Sequence, residues 1–269
     1  MHARTLASHD VAPALALTAT RPYANCFLAS LLERGRHRDL VGVFDAGVLV
    51  AVASVIANCV TTDLDDTMAA VLAEVLVTEP RPAAIVGRQD NVSLLWAAID
   101  GRWGSPRDRR AEQPLLVLEG APRIPSDPFV RRTEPGEFDA LFPCCVDMFT
   151  HEVGVSPVAH GLERGYRQRV RDTIATGRSF VRMDGDAVLF KTEIGAVSSA
   201  ACQLQGVWVR PDRRGSGIAA PAVAAVAEAA MLEFAPAVEL YVNDFNLPAR
   251  RAYERVGFRQ EDCFTTIFL

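Results

Sequence analysis

Residues 206–230, GVWVRPDRRGSGIAAPAVAAVAEAA, constrain the fold of this chain more than any other stretch. Val207, Trp208 and Val209 have strand propensity, and Pro211 ends the strand because it brings no N–H to a ladder. Arg213 and Arg214 follow, then Gly215 and Gly217, where no Cβ keeps a ligand from the backbone. Residues 218–234 are rich in Ala, Val, Glu, Met and Leu and favour a helix. The first turn of a helix leaves backbone N–H groups unpaired, and the helix dipole adds partial positive charge there. Strand, glycine turn and helix start together make an anion site suited to phosphate.

The chain has 269 residues, enough for one large domain or two ordinary ones, and its 49% hydrophobic and 23% charged residues suit a soluble globular protein. The formal net charge of -5 and the lack of a broad basic stripe argue against nucleic-acid binding. The N-terminus lacks the pattern of a signal peptide, and the most apolar run, 46–57, is too short to span a bilayer. A cytoplasmic protein without a membrane partner is expected. The six cysteines include no C-x-x-C pair, which points to reduced thiols packed as small hydrophobes and to no metal site.

Taken in order, 5–34 reads as two helices separated at Pro22. Apolar runs 41–44 and 48–56 around Asp45-Ala46-Gly47 predict a hairpin. A helix over 64–76, a strand over 83–87, a helix over 92–99 and a strand over 115–118 follow. Four prolines and two glycines in 119–136 mark a linker, with a domain boundary near 125, giving domains 1–124 and 125–269. The second half predicts a strand over 130–133, a helix over 137–148, a polar turn over 149–157 and a helix over 162–176. A hairpin, 179–183 with 187–194, turns at Asp184-Gly185-Asp186. Then come a strand over 196–208 with Gly206 at a bulge, the long helix, a strand over 238–242, a helix over 247–256 and a strand over 263–268. The fold class is α+β, a mixed and mostly antiparallel sheet flanked by helices.

The halves share a rhythm of hairpin, helix, short strand, then Asn and a helix carrying an aromatic, as in AAIVGRQDNVSLLWAAI and VELYVNDFNLPARRAYERV. A duplicated fold is expected. Where the second half has RRGSG, the first has the acidic NCVTTDLDD, which would repel phosphate.

The last quarter of the chain resembles the GNAT superfamily, which moves acyl groups from acyl-coenzyme A to amines. Arg214-Gly215-Ser216-Gly217-Ile218-Ala219 matches the family's acyl-CoA motif, after a Val-x-Val-x-Pro strand end. Asn246, Ala249, Tyr253, Gly257 and Phe258 match its downstream Asn, Ala, Tyr and Gly-Phe spacing. The whole chain is similar to actinobacterial two-part GNAT proteins, so tandem GNAT-like folds are implied, the N-terminal one degenerate. The resemblance implies acetyl-CoA as donor. Backbone N–H groups of Gly215, Gly217, Ile218 and Ala219, with Arg214 and Ser216, would hold its pyrophosphate, Val207 and Val209 its pantetheine, and Asn246 a further contact. Asn246 equally suits a helix N-cap. It implies Tyr253 as the general acid that protonates the leaving thiolate.

The general base is less legible. Glu193, in the apolar run VLFKTEIGAV, is expected to be partly buried with a raised pKa, and Lys191 shares its face and could pair with it. Glu152 with His151 in the 149–157 turn, and Asp244, are further candidates. The acceptor is an amine, on a small molecule or a protein, attacked directly without an acyl-enzyme, by a monomer or homodimer. A mycothiol-synthase-like enzyme and an acyl-CoA-binding sensor stand as alternatives.

Overall fold

The computed structural model describes residues 1–99 and 101–269. Twelve strands form one sheet: β1 (His2–Thr5), β2 (Leu40–Asp45), β3 (Val48–Ser54), β4 (Asn58–Thr61), β5 (Ala84–Arg88), β6 (Asp108–Glu119), β7 (Arg131–Arg132), β8 (Ser179–Asp184), β9 (Ala187–Val197), β10 (Cys202–Val209), β11 (Ala237–Tyr241) and β12 (Arg259–Phe268). Their order is β1-β2-β3-β4-β5-β12-β6-β11-β10-β9-β8-β7. Among the described residues eight α-helices cover the faces: α1 (Val11–Ala19), α2 (Cys26–Glu33), α3 (Asp66–Leu76), α4 (Gln89–Ile99), α5 (Phe138–Val153), α6 (Glu163–Ala175), α7 (Ala219–Glu233) and α8 (Leu247–Val256). Among the described residues no helix is long and apolar enough to cross a membrane.

The order is symmetric about the β6–β12 pair. Five strands run outward on each side, β5 to β1 and β11 to β7, and in each set the innermost pair, β4–β5 or β10–β11, is parallel. The last strand of each half pairs with the fifth strand of the other: β6 with β11, β12 with β5, both antiparallel. A long antiparallel pairing of β6 with β12 joins the halves. This is the duplication expected from the repeated rhythm, with one strand exchanged in each direction.

Alternation along β6 sorts the helices onto two faces. Leu115 packs with α1 and α2 residues, while Leu116 and Leu118 pack with α7 and α8 residues such as Val223 and Val256. The first half places α3 and α4 over Val41, Val43 and Ile85. The second places α5 and α6 over Val181, Val188 and Trp208. The small buried side chains of α7, among them Ala222, Ala224, Ala227 and Ala230, let that helix lie close on the sheet.

Several local expectations need correction. The segment 149–153 is not a turn but the last part of α5, which runs on to a left-handed C-cap at Gly154 (φ 79°). The strand expected over 196–208 is two strands, because 198–201 turn back with Ser198 and Ala201 bonded to each other. β1 and β4 were not foreseen. β4 is separated from β3 by Ala57 at φ 55°, a break that an apolar run conceals. β6 begins seven residues earlier than its apolar core, at Asp108, because pairing with β12 extends a polar segment that patterning alone reads as loop.

Candidate active site

The site is built where β10 and β11 part. Their parallel pairing is confined to Cys202 with Val238 and Gln203 with Glu239. Beyond that point β10 stays with β9 and β11 stays with β6, so a wedge opens between them. At Gly206 a bulge shifts the β9–β10 register between Gln205 and Trp208. Gly206 has φ +63°, and a Cβ there would lie 3.0 Å from both Lys191 Nζ and Met148 Cε, so glycine is required. Val207 and Val209 continue β10 along the wedge and are half-buried.

At the end of that strand Arg210 pairs with Asp184 and Asp212 at 2.9 Å each, and Arg213 lies 3.9 Å and 4.0 Å from the same carboxylates. Arg214 has no carboxylate partner among the described residues; its Nε donates to Val209 O at 3.2 Å. The Ser216 hydroxyl donates to Arg213 O at 2.5 Å and tightens the turn. Gly215 and Gly217 take φ +78° and +83°, with no other atom within 4 Å of where a Cβ would stand. Ile218 is the N-cap of α7 and supplies no side-chain hydrogen bond, so the helix start, with Ala219, presents free N–H groups toward an open turn.

The matching position in the first half differs. Asp65 caps α3, its carboxylate accepting from Met68 N at 2.7 Å. A negative charge already occupies that helix start.

Tyr253 lies on α8, 6% exposed, edge-on to Phe258 with ring centroids 5.8 Å apart. Its hydroxyl makes no hydrogen bond among the described residues. Burial, and secondarily the charge of Glu152, pushes its pKa up, so the phenol stays protonated. Asn246 caps α8, accepting from Ala249 N at 3.3 Å, with Pro248 in the first turn.

Glu193 is buried on β9, on the same face as Lys191, as expected. Its pKa, however, is lowered rather than raised. Burial alone would raise it, but the adjoining Arg169 and Lys191 outweigh burial, and Gln205 Nε2 donates to it at 2.7 Å. The sequence pattern hides Arg169, which reaches over from α6. Glu152, on the last turn of α5, touches solvent yet has protein on enough sides that desolvation raises its pKa, against the pull of Lys191 and Arg110. Asp244 lies beyond β11, its N–H bonded to Glu112 O.

One carboxylate was missed. Glu239 on β11 is 1% exposed; Gln203 Nε2 donates to its Oε1 at 2.9 Å, and Oε2 has no hydrogen-bond partner among the described residues, although the Cys26 thiol, like Gln203, pulls the pKa down against burial. Burial raises its pKa to about 8. Glu239 and Glu193 both line a cavity of about 800 Å³ on the α2–α6 face, bounded by β3, β4, β9, β10 and β11. Glu152 is not in its wall. The available signal was a lone carboxylate inside VELYV, a strand whose neighbours on both sides are apolar.

Residues 38–141 match a family model described as a Domain of unknown function (DUF4081), and 173–258 match the Acetyltransferase (GNAT) family. A comparison with curated proteins gave no match. Among solved structures, the chain is similar to an acetyltransferase of the GNAT family from Colwellia psychrerythraea (12% identity, 100% of both chains, TM-score 0.57). It is also similar to a GCN5-related N-acetyltransferase from Sphaerobacter thermophilus (17%, 98% of this chain and 93% of that one, 0.60). A third is a tandem GNAT protein from the clavulanic acid biosynthesis pathway (14%, 99% and 98%, 0.57). At these identities the likeness concerns the fold, and it spans both halves.

Proposed function

We propose that this chain, whose C-terminal part is a GNAT N-acetyltransferase domain, transfers acetyl from acetyl-CoA to a primary amine by direct attack. The observation that carries the reading is the α7 start: uncapped, glycine-flanked and beside an Arg214 that has no carboxylate partner among the described residues. These residues fit a pyrophosphate. Gly215, Gly217, Ile218 and Ala219 would offer backbone N–H groups, Arg214 charge, and Ser216 the shape of the turn. Val207 and Val209 would pair with the pantetheine in the wedge, and Asn246 would stand beside it at the start of α8.

The amine approaches through the cavity and gives a proton to a carboxylate. Glu239 suits this better than Glu193, because Arg169 holds Glu193 ionised and occupied. A base near pKa 8 with a free oxygen is matched to an ammonium at neutral pH. The neutral nitrogen then attacks the thioester carbon. The C–N bond forms and the C–S bond breaks; the thiolate takes the phenolic proton of Tyr253, and the surplus proton on the new amide nitrogen returns the phenolate to the phenol, while Glu239 gives its proton to solvent. Burial, with a smaller contribution from the charge of Glu152, keeps that phenol protonated between turnovers. Division near residue 125 leaves a first half that binds no donor and instead walls the acceptor cavity through α2, β3 and β4.

The test is thiol release from acetyl-CoA across a panel of amines. Amine-dependent release supports transfer. Tight acetyl-CoA binding without stimulation by any amine would make the chain a sensor instead.

A further inference from the structure

The cavity lining carries an ionisable carboxyl and two guanidiniums unpaired among the described residues. The carboxyl is Glu239, with one oxygen buried and unpaired. Elsewhere on its lining are Arg34, just beyond α2, and Arg178, just before β8. Neither arginine takes part in an ion pair among the described residues. Arg178 donates only to the carbonyl of Gly195, at 3.1 Å.

Arg34 is exposed and Arg178 half-buried; both line this one cavity, and after burial the charge of Arg34 is the next cause that lowers the pKa of Arg178. Like charges kept together without a counterion gain from an anion placed between them. The other charged groups on the lining are already engaged. Arg169 holds Glu193, Arg36 holds Asp39, and Asp172 accepts from Gln168 at 2.7 Å. Arg178 is bonded to Gly195 on β9 and Glu239 to Gln203 on the neighbouring β10, so the guanidinium and the carboxyl are anchored on adjoining strands of one cavity wall.

We infer that the acceptor is an amino acid or a similar small amine bearing a carboxylate, with its ammonium at Glu239 and its carboxylate held by Arg34 and Arg178. This rests on the acyltransfer reading and narrows its acceptor. It also gives the first half a binding role, because Arg34 comes from that half. A primary amine without an anionic group would leave the two arginines uncompensated. Such a mismatch in a site built for a polar group lowers kcat/KM strongly.

The experiment compares free L-amino acids with their carboxamides as acceptors, in the wild-type chain and in Arg34→Gln and Arg178→Gln. Thermal protection by N-acetyl amino acids against N-acetyl amino acid amides is measured beside it. The wild type should prefer carboxylates by about tenfold or more in kcat/KM. Each substitution should remove that preference while leaving the KM for acetyl-CoA unchanged. Equal use of carboxamides, or a preference that survives both substitutions, overturns the inference. If no acceptor is acetylated, the acyltransfer reading fails, and protection then decides the anion site by itself: selective protection by N-acetyl amino acids, lost in both variants, upholds it, and equal protection overturns it.

Discussion

Gln203 Nε2 donates to Glu239 Oε1 at 2.9 Å, at the last rung where β10 and β11 are paired, and leaves Oε2 of the same carboxylate buried and unpartnered. The amide orients the carboxylate without neutralising it, which keeps the group available as a base. Acetyl transfer should therefore rise with pH and level off above about 8, where Glu239 is ionised. Glu239→Gln should lower kcat by about a hundredfold or more and abolish that limb. Steady-state rates between pH 6 and pH 9.5 (about 0.5 unit apart) check this; an unchanged limb would assign the base elsewhere.

The same carboxylate should weaken the fold at working pH. Its folded pKa, about 8, exceeds its ordinary value of 4.5, so the folded state holds the proton more tightly. The stabilising contribution is complete below the unfolded value and is lost as pH rises toward 8. Glu239→Gln carries no such term. At pH 7.5 the variant should melt a few degrees higher than the wild type, with the gap closing at pH 4.5. Thermal melts at the two pH values read the difference directly.

Tyr253→Phe keeps the ring against Phe258 and removes only the hydroxyl. Turnover should fall by about a hundredfold while acetyl-CoA affinity is spared, since the role proposed for the phenol falls at C–S cleavage. Equal turnover in the two proteins would remove Tyr253 from the acid role.

Asp65 is the cap that distinguishes the first half. Asp65→Ala should cost about 1 kcal/mol of stability by leaving Met68 N without its acceptor. It should not create a second donor site, because no glycine turn precedes α3. Denaturant melts together with acetyl-CoA titration test both parts.

Much of this architecture was legible in residues. The glycine turn with α7, the hairpin at Asp184, the bulge at Gly206 and the cap at Asn246 follow from local chemistry, and the structure has them. Strand exchange was not legible, since β6 and β12 carry no mark of which half they join. Glu193 was misjudged for a similar reason: Arg169 is 24 residues away in sequence and meets it only through packing of α6 on the sheet. Glu239 was passed over because its strand reads as buried core, and only the cavity beside it shows what that carboxylate faces.

Two folded units sharing a single donor site, at the start of α7, should bind one acetyl-CoA per chain, which calorimetric titration of the full chain reads, with Gly217→Glu as the partner measurement. Gly217 has open space around it but φ +83°, so the glutamate is accommodated sterically with local backbone strain and puts negative charge where the pyrophosphate would lie. One acetyl-CoA bound per chain, and loss of binding by about a hundredfold or more in Gly217→Glu, is the expected result. Two bound per chain, or binding unchanged in Gly217→Glu, would contradict it.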